Sequence, residues 1–228
     1  MQLQRSIPTP TTPEEAFALQ RDLASDVVQT PLNGPVMTVA AADVAYSLDE
    51  QRAYAGVVVL ELPSLRIVEQ ATWQGEPPTP YISGLFAWRE APCLVEAFAA
   101  LKTTPDVVMI DSQGRAHPRR FGLACHLGLM LDVPTLGCAK TQMMGGKWSQ
   151  ELASERGAIF GLEEEGERLG VALRTQEAIN PVFVSVGHRI DLQGAIDVTL
   201  QTSPRFRIPE PLRQAHLLSI ALRKEGEG

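Results

Sequence analysis

Four consecutive apolar residues, Val107-Val108-Met109-Ile110, lie between the breaking stretch Thr103 to Asp106 and Asp111. A strand that is apolar on both faces has no side to turn to water. It must sit inside a sheet with other elements packed on it. Thr135–Ala139 repeats the pattern. Between the two, a helix is predicted from Pro118 to about Leu131, and another precedes them from about Ala87 to Lys102. Upstream, Met37–Tyr46, Ala53–Leu62 and Arg66–Trp73 read as strands. The short Pro63-Ser64 connection makes the second and third antiparallel neighbours. The order is a three-strand meander, then helix, strand, helix, strand. That is an α/β chain with a mixed β-sheet, an antiparallel meander plus parallel strands, flanked by helices.

The ends are read with the same rules. Thr12-Pro13-Glu14-Glu15 is a capping box with Pro at the first helical position, opening a helix to about Val27. Beyond Lys147 the signals weaken. Glu163 to Glu167 reads as an acidic, solvated turn, Arg168–Thr175 and Pro181–Val186 as strands, and Asp191–Gln201 and Pro209–Lys224 as helices. A chain of 228 residues suits one domain, 1–228. No apolar run is long enough to cross a membrane, and the polar, Pro-rich start lacks the apolar stretch of a secretory signal. Three cysteines without a C-x-x-C spacing suggest reduced thiols in a cytoplasm. The formal net charge of −7 argues against a non-specific nucleic-acid coat. Locally, Arg115, His117, Arg119, Arg120, Lys140 and Lys147 reverse that balance.

Three carboxylates stand where a core should be apolar. Asp43 shares a strand face with Val39, Ala41 and Ala45, so it needs a cation or several donors. Glu90 opens the apolar stripe Leu94, Phe98, Leu101. Asp111 ends the Val107–Ile110 strand, where parallel sheets place ligand chemistry. Each has an ordinary alternative: a structural Asp at a bulge, a first-turn helix acid, a turn-capping loop Asp. Together they have the arrangement of the ribonuclease-H-like nuclease fold. Three oxygen donors without thiols suit Mg2+, with Mn2+ able to substitute, and phosphoryl chemistry.

The flanking residues carry a more specific resemblance. Asp43-Val44-Ala45-Tyr46, Pro80-Tyr81-Ile82-Ser83-Gly84-Leu85, Arg89-Glu90-Ala91-Pro92, Asp111 to Gly128 with His117-Pro118-Arg119-Arg120-Phe121-Gly122-Leu123-Ala124 inside it, Gly137-Cys138-Ala139-Lys140 and Val184 to Leu192 resemble, in order, the motifs of the endonuclease V family. The resemblance implies a ribonuclease-H-like fold. It implies cleavage of DNA with deaminated bases at the second phosphodiester 3′ to deoxyinosine, leaving 3′-hydroxyl and 5′-phosphate ends; inosine-containing RNA is a further substrate of some members. By the same resemblance Asp43, Glu90 and Asp111 hold the metal, and Lys140 and His216 attend the reacting phosphate. Tyr81, with Ile82, forms a wedge for the space left by a flipped base. Gly84, Ser112, Gly114, Gly122 and Leu123 line the base pocket, with His117 and Arg119 nearby on the nucleic acid.

Outside that context the same residues have plainer roles. Tyr81 would be a surface ring, Lys140 a solvated lysine, His216 a core histidine beside Leu212, and Arg119 and Arg120 helix-surface charges. At a helix start, though, the two arginines suit a phosphate. Two positions depart from the family pattern: Ser112 stands where it has Gly, and Ser83 where it has Pro. Both bear on base recognition. The expected protein is a monomeric nuclease; the alternatives are a same-fold nuclease of other preference and a non-cleaving binder of damaged nucleic acid.

Overall fold

A computed structural model describes residues 1–79 and 85–227. The meander forms as its pattern requires: β1 (Thr38–Tyr46), β2 (Ala53–Glu61) and β3 (Arg66–Gly75) pair antiparallel. Helix α1 (Pro13–Ala24) precedes them, and the Thr12 side chain accepts from the Glu15 amide. After the meander come α2 (Phe86–Ala99), β4 (Val107–Ile110), α3 (Leu123–Leu131) and β5 (Thr135–Ala139). A hairpin of β6 (Ile159–Glu164) and β7 (Glu167–Leu173), then β8 (Val182–His188), α4 (Leu192–Gln201) and α5 (Glu210–Glu227), complete the described chain. The strands form one eight-stranded sheet in the order β3-β2-β1-β4-β5-β8-β7-β6. β1, β4 and β5 run parallel; the other pairs are antiparallel. No described helix is long and apolar enough to cross a membrane.

Side-chain alternation sends the core to both faces. Ala40, Ala42, Val108 and Ile110 meet α1, α2 and α3 on one side. Val39, Ala41, Val107, Met109, Leu136 and Cys138 meet α4 and α5 on the other. This explains why β4 and β5 are buried throughout and, Thr135 apart, apolar: both of their faces are covered.

Three expectations are corrected. Helix α3 starts at Leu123, not Pro118. Residues 118–120 form a turn and a bend and residues 121–122 are irregular, with Arg120 in the left-handed region at φ 56°. Gly122 is pressed so close that a Cβ there would lie 2.2 Å from the Gln113 carbonyl oxygen, and a helix through this segment would not permit that approach. Strand β6 was not foreseen, because only Leu162 in it is buried and its acidic end reads as a turn. Helix α2 ends at Ala99, three residues before the predicted Lys102.

Candidate active site

The strand register builds the centre. Ala42 pairs with Ile110 across β1 and β4, and Ile110 with Gly137 across β4 and β5. One step further along two adjacent parallel strands therefore brings Asp43 beside Asp111. Alternation puts both on the face of Val39, Met109 and Cys138, beneath α5. Lys140 follows Cys138 by two residues on that face, and its Nζ forms a close ion pair with Asp111 Oδ2. Helix α5 supplies two donors to Asp43 Oδ2: Ser219 Oγ at 2.5 Å and His216 Nδ1 at 3.1 Å. So Asp43, Asp111, Lys140 and His216 come together at the carboxyl ends of β1, β4 and β5, where open α/β sheets place ligands.

Glu90 approaches from the opposite layer. It is the fifth residue of α2 and buried, on the stripe with Leu94, Phe98 and Leu101. It is therefore not a first-turn acid serving the helix dipole. Burial holds its carboxyl well above the usual carboxylate range, and the charges of Asp43 and Asp111 add to that; Tyr46 and Arg89 act the other way. The charges of both aspartates thus act on Glu90. As they stand, no three His, Cys, Asp or Glu side chains among the described residues form a group that could hold a metal ion. Asp43 contacts Ser219 and His216, and Asp111 contacts Lys140.

His216 is exposed, which overturns its reading as a core histidine. Ser219 was missed, although it lies three residues after His216 and helical spacing puts it on the same face. Arg89 was also missed as a tether. It is 5% exposed, donates to the carbonyl oxygens of Thr79 at 3.2 Å and Glu50 at 3.1 Å, and lies 4.4 Å over the Tyr46 ring. It thereby fixes helix α2, next to Glu90, to the β1–β2 turn and to the chain just before residue 80.

The base-pocket candidates are placed as follows. Tyr81, Ile82, Ser83 and Gly84 lie outside the described residues. The segment after Asp111 folds over β5. A Cβ at Gly137 would lie 2.6 Å from the Ser112 oxygen, and one at Gly114 would lie 2.0 Å from the Val186 oxygen. Gly114 and Gly122 are thus required by backbone packing within the protein. Ser112 is not in the left-handed region, so serine fits its backbone without strain. Leu123 is buried. His117 is buried too, and desolvation with the Arg119 charge lowers its pKa to about 4, so it is neutral near pH 7.

The basic segment is not an open cationic surface. Arg115 pairs with Glu167, and Arg120 with Glu164 and Glu167, from the β6–β7 hairpin. Arg119 reaches back to α1, donating to Gln20 and lying 4.2 Å over the Phe17 ring. None of the three is on a helix start, because α3 begins later.

A mixed, two-faced sheet carrying acids on β1, just past the neighbouring parallel β4 and on the flanking helix α2 defines the ribonuclease-H-like class. Comparison with known proteins narrows it. The family model for Endonuclease V matches residues 21–217. Endonuclease V of Nocardia farcinica is 45% identical over 220 residues, covering 96% of each chain. The crystal structure of Streptomyces avermitilis Endonuclease V superposes with a TM-score of 0.88 at 39% identity, covering 97% of this chain and 98% of that one. A Ciona intestinalis Endonuclease V solved in complex with a 23mer DNA containing an inosine followed by a ribo-adenosine gives 0.83 at 26% identity, over 94% and 99%. The chain belongs to the Endonuclease V family and is accordingly a nuclease of the phosphodiester-hydrolysing kind.

Proposed function

We propose that this chain repairs DNA carrying deaminated bases. It hydrolyses the second phosphodiester bond 3′ to deoxyinosine with Mg2+, acting as a monomer. The observations that carry the reading are the pairing of Asp111 with Lys140 and of Asp43 with His216 at one sheet end, and the charges of both aspartates acting on buried Glu90. That the Ciona relative was solved with inosine-containing DNA supports the substrate class.

The donor set fits a hard divalent cation. All three groups are carboxylates, and their mutual repulsion is what such an ion relieves. Asp43, Glu90 and Asp111 would hold it; bound there, Mg2+ or Mn2+ supplies charge neutralisation and a more acidic water. The remaining work falls to the chain. Ser219 and His216 fix the Asp43 carboxylate. Lys140 is placed to release Asp111 and meet the negative oxygens of the scissile phosphate. Water attacks phosphorus, the P–O3′ bond breaks, and the leaving oxygen takes a proton, which yields 3′-hydroxyl and 5′-phosphate ends.

The test is single-turnover nicking of matched strands carrying inosine, uracil, xanthine or an abasic site, as DNA and as RNA, with Mg2+. Fastest cleavage of deoxyinosine DNA supports the proposal. Preference for inosine RNA would move the working substrate to RNA, and binding without cleavage would make the chain a binder. The pairs Asp111–Lys140 and Asp43–His216 argue against the last, since a binder needs no acids held against a cation and a histidine.

A further inference from the structure

The segment between α4 and α5 turns an aromatic ring to solvent on a backbone that is pinned on both sides. Phe206 is 47% exposed. The Gln176 side chain donates to its carbonyl oxygen at 3.3 Å and to that of Ser203 at 2.8 Å, and Thr175 Oγ1 donates to the Arg207 carbonyl oxygen at 2.7 Å. Arg207 donates in turn to the carbonyl oxygens of Pro181 at 2.9 Å and Lys140 at 2.7 Å. The Arg213 guanidinium lies over the Phe206 ring, 4.1 Å from its centroid. The same ring lines an open cleft of about 370 Å³ with Pro63, Leu65, Pro204, Arg205 and Ile208, and Arg205 is exposed. This surface runs into the reaction centre. Arg207 ties it to the backbone of Lys140. Arg213 precedes the exposed His216 by three residues, so the two are neighbours on one face of α5, about 4.5 Å apart along its axis.

We infer that this cleft holds a nucleotide that flanks the scissile phosphate on the bound strand, its base stacked on Phe206 and its phosphate met by Arg205. The inference rests on the proposed nicking of DNA and extends it from the lesion to the strand beside it. A single exposed apolar residue needs no explanation. Phe206 differs because its backbone is fixed, one of its faces carries a cation, a second cation stands next to it in sequence, and it lines a cleft. Every base has a flat π face, so an aromatic platform with guanidinium groups beside it tracks a strand whatever its sequence. The acid that lines the same cleft, Glu210, is occupied by Arg213 at 3.0 Å and Gln214 at 2.6 Å, so it does not stand free against a phosphate. Because the platform is sequence-tolerant, it adds affinity and register along the strand and leaves the choice of lesion to the centre itself.

The test shortens a deoxyinosine strand one nucleotide at a time from each end and measures binding by fluorescence anisotropy, with Ca2+ in place of Mg2+. Wild type is compared with Phe206→Ala and with Phe206→Leu, which keeps apolar bulk without a π face. Wild type is expected to lose affinity about fivefold or more at one truncation step, beyond the loss at neighbouring steps. Both variants are expected to lack that step and to match wild type on strands already shortened past it. Arg205→Gln is expected to lower the slope of log Kd against log salt by about 0.7–0.9. Truncation profiles that coincide for wild type and both variants overturn the inference, as does a wild-type profile with no such step on either side; the second result needs no variant to fold. A wild type that does not nick deoxyinosine strands with Mg2+ would instead defeat the proposed function, while the truncation profile would still report on the cleft.

Discussion

Replacing Glu90 with Gln removes one charge from the acidic cluster at nearly constant volume, and its consequences can be worked from the structure. Glu90 is 7% exposed, and burial and two neighbouring aspartates raise its pKa in the fold. An acid with a raised folded pKa destabilises the fold as pH climbs from the unfolded value, near ~4.3, to the folded one. The penalty is about 1.4 kcal/mol for each unit between those limits. Without divalent metal, Glu90→Gln is therefore expected to melt higher than wild type at pH 7.5. That advantage shrinks toward pH 4.3. Added Mg2+ reverses the order. At a hundredfold excess over its Kd a ligand stabilises by about 2.7 kcal/mol, or roughly 5–11 °C for a chain of this size. Wild type gains that; the variant, short of a ligand, gains much less. Thermal unfolding by circular dichroism, with EDTA and across a Mg2+ titration, reads both effects. If metal shifts the two proteins equally, or if Glu90→Gln melts lower in EDTA, the buried-cluster reasoning is refuted.

Further outcomes follow from other contacts. Ser219→Ala removes the 2.5 Å donor to Asp43 and is expected to cost about 1.5–3 kcal/mol of stability and to slow nicking, as urea unfolding and single-turnover rates will show; no change in either would deny Ser219 its role. Burial lowers the pKa of His126 to about 3 and that of His117 to about 4, so both are neutral in the fold and take up protons on unfolding. Stability is expected to fall as pH drops below ~6.5, by about 2.7 kcal/mol per unit from the pair, and His126→Phe to remove about half of that slope in urea titrations between pH 7 and 5. Ser112→Gly removes a Cβ without relieving backbone strain, and is expected to raise kcat/KM on deoxyinosine DNA at unchanged Mg2+ dependence; an unchanged or lower value would leave Ser112 neutral or a base contact.

The sequence made the sheet legible where its strands are buried on both faces. Val107–Ile110 and Thr135–Ala139 match their strands residue for residue, because an apolar run with covered faces has one solution. It was poor where structure depends on partners distant in sequence. Strand β6 buries only Leu162 fully and exists because β7 pairs with it. The start of α3 is set by the contact of Gly122 with Gln113, which no local propensity reports. The acids could be found because each violates the pattern of its element. The donors that hold them could not: the partner of Asp43 lies 176 residues away in Ser219, and the partner of Arg120 across the sheet in Glu167. The basic run from Arg115 to Lys140 looked like a phosphate surface for the same reason, since the carboxylates that occupy it lie elsewhere in the chain.

The central claim is that Asp43, Glu90 and Asp111 form one Mg2+-dependent centre that cuts beside deoxyinosine. The most direct test is a duplex with a single deoxyinosine, end-labelled on either strand, resolved on a sequencing gel with wild type and Asp111→Asn. The account predicts one Mg2+-dependent nick by wild type at the second phosphodiester 3′ to the lesion, with ligatable 3′-hydroxyl and 5′-phosphate ends, and none by Asp111→Asn. Equal cutting of the unmodified duplex, or wild-type cutting by Asp111→Asn, would contradict it.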